Sequence, residues 1–221
     1  MNLSNGTTQP ETVAVVSLLL RRPDGHILLG VRRPVATSRR HPGVLSTLTM
    51  RVPLEIVSNL LPTLAGEEEV ELDKGTVIVL PANAHASIGQ PCSSATSVGF
   101  LAECVLTKKL GLGDKLLESQ VTGHAVPIGL AIDDVSDPKG GGSLETTLML
   151  TIEVALEDGL ETLPRSSACY SELVWVGPQE LVAALASNDA LLAIPHADPF
   201  QVCIHGLCVR SAAELVSSRN A

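Results

Sequence analysis

The run VAVVSLLLRR (13–22) is apolar at successive positions, which suits a strand buried on both faces. Pro23-Asp24-Gly25 supplies turn chemistry, and HILLGVRR (26–33) reads as a return strand, so 13–33 predicts a hairpin. VLSTLTMRV (44–52) alternates: Val44, Ser46, Leu48 and Met50 share one face, and Thr47, Thr49 and Arg51 the other. Leu45 is out of phase, and Pro53 ends the run. Leu54, Val57, Leu60 and Leu61 recur at helical spacing and predict a short helix over 54–61. A polar, acidic loop (62–75), a small strand at VIVL (77–80) and a second loop follow, so 54–95 is expected as an insertion.

SVGFLAECVLTKKL (97–110) carries the clearest helical pattern, with Ser97 as cap and Gly111 as a left-handed stop. Strand-like runs at 121–132 and 145–156 flank the loop DDVSDPKGGGS. SELVWV (171–176) is a further strand, and PQELVAALAS (178–187) opens with proline at a first-turn position. A C-terminal helix is expected over 198–217, starting at Asp198-Pro199. The order predicts a mixed sheet with helices packed on its faces, and not a regular βαβ alternation. Residues 1–11 are polar and are expected to be a disordered leader to a single domain, 12–221.

The chain of 221 residues is 45% hydrophobic, enough for a sizeable core. Its formal charge of −9 argues against nucleic acid or an anionic membrane as a partner, because phosphate binding needs clustered Lys and Arg. The ArgArg pairs at 21–22, 32–33 and 39–40 read as solvated strand ends and a loop. Aromatics at 2% leave no base-stacking platform. The odd count of five cysteines, with no regular framework, points to reduced thiols and a cytoplasmic setting. No apolar run is long enough to span a bilayer.

The opening hairpin with ILLGVRR, the HPGVLSTLTMRV strand, the helix ending in KKLGL and the YSELVWV strand with its following helix together resemble the Nudix hydrolase superfamily. The resemblance covers about 12–217 and implies a Nudix-like α/β/α sandwich with a mixed central sheet. His41-Pro42-Gly43 is a partial counterpart of the proline-glycine before the family's box. The box ends R-E-U-x-E-E-x-G-U in the family, with U aliphatic. Anchored on Gly111-Leu112, the aliphatic position falls on Leu106, which agrees. The arginine becomes Cys104, the first glutamate Val105, and the paired glutamates Lys108 and Lys109. Residues 97–112 are thus a degenerate box, and the resemblance carries over no metal-binding residue.

The substitution has a physical meaning. Mg²⁺ takes octahedral oxygen ligands, usually carboxylates. Side chains at i, i+3 and i+4 point the same way from a helix, and here that spacing presents Val105, Lys108 and Lys109. An ammonium has no lone pair to offer. No metal or other cofactor is expected, and Mg²⁺ chemistry would need acids from elsewhere, such as Glu67, Glu68 and Glu69. Lysines can instead meet a carboxylate or phosphate. Lys108, at the edge of the apolar stripe, is the candidate for that role, and Lys109 is expected to snorkel to water.

Other candidates surround the implied cleft. His41 has a near-neutral titration suited to acid–base work, against the plainer reading of a turn histidine. Thr49 and Arg51 would reach a ligand from their strand, Arg51 through its planar fork. Cys104 is the candidate nucleophile, with Lys108 four residues on favouring its thiolate, against the plainer reading of a small buried hydrophobe. Cys203, His205 and Cys208 raise zinc, but their spacing is not that of a familiar ligand set. The leading expectation is a Nudix-like enzyme acting on a small anionic metabolite without the usual metal-dependent diphosphate chemistry. The alternatives are a non-catalytic ligand- or partner-binding module, and a metal-dependent hydrolase using the insertion's acids.

Overall fold

The structure, a computed structural model, describes residues 12–33, 45–65, 72–80, 98–112, 125–135, 145–156, 166–187 and 204–219. The expected leader, His41, Glu67, Glu68, Glu69, Cys203, Asp198 and the side chain of His205 lie outside the described residues. The strands are β1 (Thr12–Arg21), β2 (Ile27–Arg32), β3 (Leu45–Ser46), β4 (Leu48–Val52), β5 (Val77–Val79), β6 (Ala125–Val135), β7 (Glu145–Ala155) and β8 (Tyr170–Val176). The helices are α1 (Leu54–Ala65), α2 (Val98–Leu110), α3 (Pro178–Ser187) and α4 (Ile204–Arg219).

One mixed sheet runs β3-β2-β1-β7-β6-β5, with β4 also on β1 and β8 also on β2. β1 lies parallel to β7 and antiparallel to β2 and β4. The predicted hairpin forms, and Gly25 takes φ 87° in its turn, a conformation that glycine adopts freely. Its two strands pair only at Arg21 and Ile27. Beyond that point they part: β1 takes β4 from Ala14 to Leu18, and β2 takes β3 at Gly30 and Val31 and β8 along its other edge.

The single strand expected over 44–52 is broken at Thr47, and buried hydrogen bonding accounts for the break. The Thr47 hydroxyl pairs with Ser17 Oγ at 2.7 Å. Its carbonyl accepts from Ser46 Oγ at 2.6 Å and from the Tyr170 hydroxyl at 3.3 Å. Side chains thus take the place of ladder bonds where the sheet divides. The strand expected to end at residue 132 runs on to Val135, because Asp133 and Asp134 pair with Thr147 and Thr146. Their carboxylates are met by Arg210 (3.3 Å) and Lys74 (2.8 Å). Segment 54–95 contributes α1 and β5 to the common structure: β5 is the strand beyond β6, and Val57, Leu60 and Leu80 enter the core.

The sheet buries both faces. Ala14, Val16, Leu18 and Leu20 of β1, with Leu148, Leu150, Ile152 and Val154 of β7, pack under α1 and α2. The alternate residues face α3 and α4, where Leu19, Ile27 and Leu29 meet Leu181, Val209 and Leu215. This period-2 division of apolar runs is what a sheet covered by helices on both sides requires. Among the described residues no helix is long and apolar enough to cross a membrane.

Candidate functional site

The end of α2 is set by its own sequence. Val98, Leu101, Ala102, Val105, Leu106 and Leu110 are buried against the sheet. Gly111 takes φ 69°, and its N–H donates to the Thr107 carbonyl at 3.0 Å, closing the helix with the expected left-handed cap. Lys108 and Lys109 occupy the last turn, where cations complement the helix dipole. Their environments differ. Lys108 is exposed and Lys109 is half-buried, so the inward lysine is the one expected to reach water.

Three chain segments meet there. Arg32 ends β2 opposite Tyr170. The Arg33 N–H donates to the Cys169 carbonyl at 3.0 Å, and Arg33 Nε donates to the carbonyls of Ser167 (2.8 Å) and Tyr170 (3.1 Å). Cys169 Sγ lies 3.9 Å from the Lys108 carbonyl. The strand end, the turn before β8 and the helix end are thereby held together. Arg32 has the parity of Leu28 and Gly30, which puts it on the α2 side of the sheet. Its Nε is buried and has no hydrogen-bond partner.

Electrostatics follow from this packing. Burial lowers the pKa of Lys109; the neighbouring Cys169 opposes that shift, and the charges of Arg32 and Lys108 add to it. Among the described residues no carboxylate pairs with Arg32, Lys108 or Lys109. The result is a half-buried cationic corner with no counter-charge among the described residues.

The other sequence candidates are placed differently. Thr49 and Arg51 stand beside Ser17 and Val15 of β1, on the face turned away from α2. Thr49 is buried, and Arg51 is exposed and pairs with Glu145 at 2.5 Å. The alternation of β4 was legible, but it assigns Leu48 and Met50 to the α2 side, so Thr49 and Arg51 do not join Lys108 in one cleft. Cys104 is half-buried on α2, where burial raises its thiol pKa, Lys108 lowers it and Glu103 raises it. The expected activation of Cys104 by Lys108 is outweighed by burial.

The donors do not fit a divalent cation. Val105 is fully buried in the core and Lys109 offers an ammonium, so the positions matched to the family's glutamates supply no oxygen. Arg32 and Cys169 were missed as candidates. By composition Arg32 reads as a charged strand end, but its spacing from Leu28 and Gly30 places it on the inner face. Cys169 stands in a turn, and nothing local in the sequence marks its approach to α2.

No family model matches the sequence, and no curated protein matches it. Solved structures do resemble it. A MutT protein from Methanosarcina mazei Go1 is 11% identical with a TM-score of 0.48, covering 97% of this chain and 99% of that one. A NUDIX hydrolase from Alicyclobacillus acidocaldarius is 11% identical with a TM-score of 0.46, covering 96% and 97%. The NUDIX domain of Shewanella oneidensis NrtR, complexed with ADP ribose, is 10% identical with a TM-score of 0.40, covering 100% and 95%. These likenesses concern fold, and nothing of activity or ligand transfers from them. The chain's own element order, mixed sheet and two helical layers make it an α/β/α sandwich with a mixed central sheet.

Proposed function

We propose that this Nudix-like chain binds a small anionic metabolite at the end of α2, between Arg32 and Lys109, and does so without divalent-metal chemistry. The observation that carries the reading is the pair of inward-facing cations without a carboxylate among the described residues. Leaving a desolvated charge unanswered is costly, and an anionic ligand would relieve that cost. A guanidinium suits a phosphate or carboxylate through its fork, and an ammonium adds a second, more mobile donor. Lys108, at the exposed edge, would draw the ligand in and be screened by salt.

The test is a pool of cell metabolites incubated with the protein, dialysed and read by mass spectrometry. Retention of an anionic compound is expected, and Lys109→Met or Arg32→Met should weaken it about tenfold, the scale of one charge-assisted hydrogen bond. Conversion of that compound would make the protein an enzyme, and retention unchanged would make it a binding module. A pool that yields only neutral or cationic ligands, or retention indifferent to both variants, would overturn the reading. So would binding that requires millimolar Mg²⁺.

A further inference from the structure

The described thiols are not alike. Cys208 is fully buried, with its Sγ 3.4 Å from Met149 Sδ. Cys104 is half-buried on α2, where the charges of Lys108 and Glu103 oppose each other. Cys169 is partly exposed and neighbours Lys109: its carbonyl accepts from the Arg33 N–H, and its Sγ touches the Lys108 carbonyl. Arg32 stands opposite Tyr170, the residue after Cys169, and its Nε is buried and unpartnered. A thiol, a guanidinium and two ammonium groups therefore share one rim.

We propose that Cys169 is a modification site for anionic disulfides, which it captures as a mixed disulfide at the mouth of the Arg32–Lys109 corner. The inference rests on the anion-binding reading of the same site. A disulfide bearing carboxylates is drawn to the cations, and its S–S bond is brought to Cys169 Sγ. The thiol gives its proton to solvent. The thiolate attacks one sulfur of the disulfide, forming a new S–S bond and breaking the old one. The departing thiolate takes up a proton. The disulfide is the oxidant: Cys169 is oxidised and one half of the reagent is reduced to thiol. The captured half leaves its carboxylates on Arg32 and Lys109, so the modification occupies the anion site and closes it to the metabolite. A reducing thiol reopens it.

The experiment uses the full-length folded protein with glutathione disulfide, which is anionic, and with cystamine, which is cationic. Acid-quenched samples are mapped by mass spectrometry for the rate at each cysteine. For Cys169, the anionic-to-cationic rate ratio should exceed that of the same cysteine in the urea-unfolded chain about tenfold, the effect of nearby partly screened charges. The ratio at Cys169 should fall severalfold in Lys109→Met and in Arg32→Met, while the ratio at Cys104 is unchanged by either variant. A native ratio equal to the unfolded one, or one that neither variant changes, would refute the proposal. The two readings fail separately. Pyrophosphate binding with no preference at Cys169 removes this inference alone. A preference at Cys169 with no reversible anion binding removes the functional reading and leaves the modification site.

Discussion

Lys109 and Tyr170 answer burial in opposite directions, because burial acts on each through its charged form. The pKa of Lys109 is lowered from 10.5 on folding, first by desolvation. Below the folded pKa the protein carries a charge it holds badly. Between that value and 10.5 the unfolded chain binds the extra proton, so stability rises with pH across the window. Urea midpoints measured from neutral to alkaline pH should show this rise, and Lys109→Met should raise the neutral midpoint and flatten it. A variant midpoint below wild type at neutral pH would contradict the assigned strain. Tyr170 runs the other way. Its hydroxyl is raised above 10.0 by burial, so above that pH the unfolded tyrosine ionises first and stability falls. Tyr170→Phe should remove that alkaline loss and cost about 1 kcal/mol at neutral pH for the bond to Thr47. An alkaline profile identical to wild type would place the loss elsewhere. These environments were not legible in the sequence, since both depend on partners that lie far away along the chain.

At the scale of elements, α2 is the most readable part of the molecule. Its apolar spacing, its glycine stop and its basic last turn all appear as the sequence implied. Its pattern says less about what each side chain does, because helical spacing gives direction without depth. Val105 and Lys109 share a face, yet one is fully buried and the other lies at its edge. Val105→Glu, which restores the residue type of the resembled box, should therefore place a carboxylate in the core and cost more than about 3 kcal/mol. Chemical denaturation measures it, and near-wild-type stability would mean that the helix can rotate to release the side chain. The strand over 44–52 gives the opposite lesson. Its out-of-phase Leu45 was the trace of a break, and the break is fixed by Ser17 and Tyr170, which no local pattern could supply.

Across the whole molecule, strand alternation gave the buried faces, while the strand order came from pairings between distant segments. β1 bonds to β7 along its whole length, although more than a hundred residues separate them. The divided sheet bears on the proposed site, because Arg32 at the end of β2 neighbours Lys109 while Arg51 of β4 lies on the other face. The second layer depends on a bare stretch of backbone: a Cβ at Gly129 would meet the Leu215 side chain at 2.6 Å. Gly129→Ala should lift α4 from β6 and cost about 1–3 kcal/mol, as overpacking does. Hydrogen exchange should show the protection loss concentrated in α4. Uniform loss over the α1 and α2 layer would show that the two faces do not separate in this way.

The most direct test of the inverted-charge corner is a calorimetric titration with inorganic pyrophosphate, without and then with millimolar Mg²⁺, on wild type and Arg32→Met. The account predicts binding without the metal, weakened about tenfold in the variant, with Mg²⁺ lowering affinity by competing for the anion. Binding that appears only with Mg²⁺, or that Arg32→Met leaves unchanged, would contradict it.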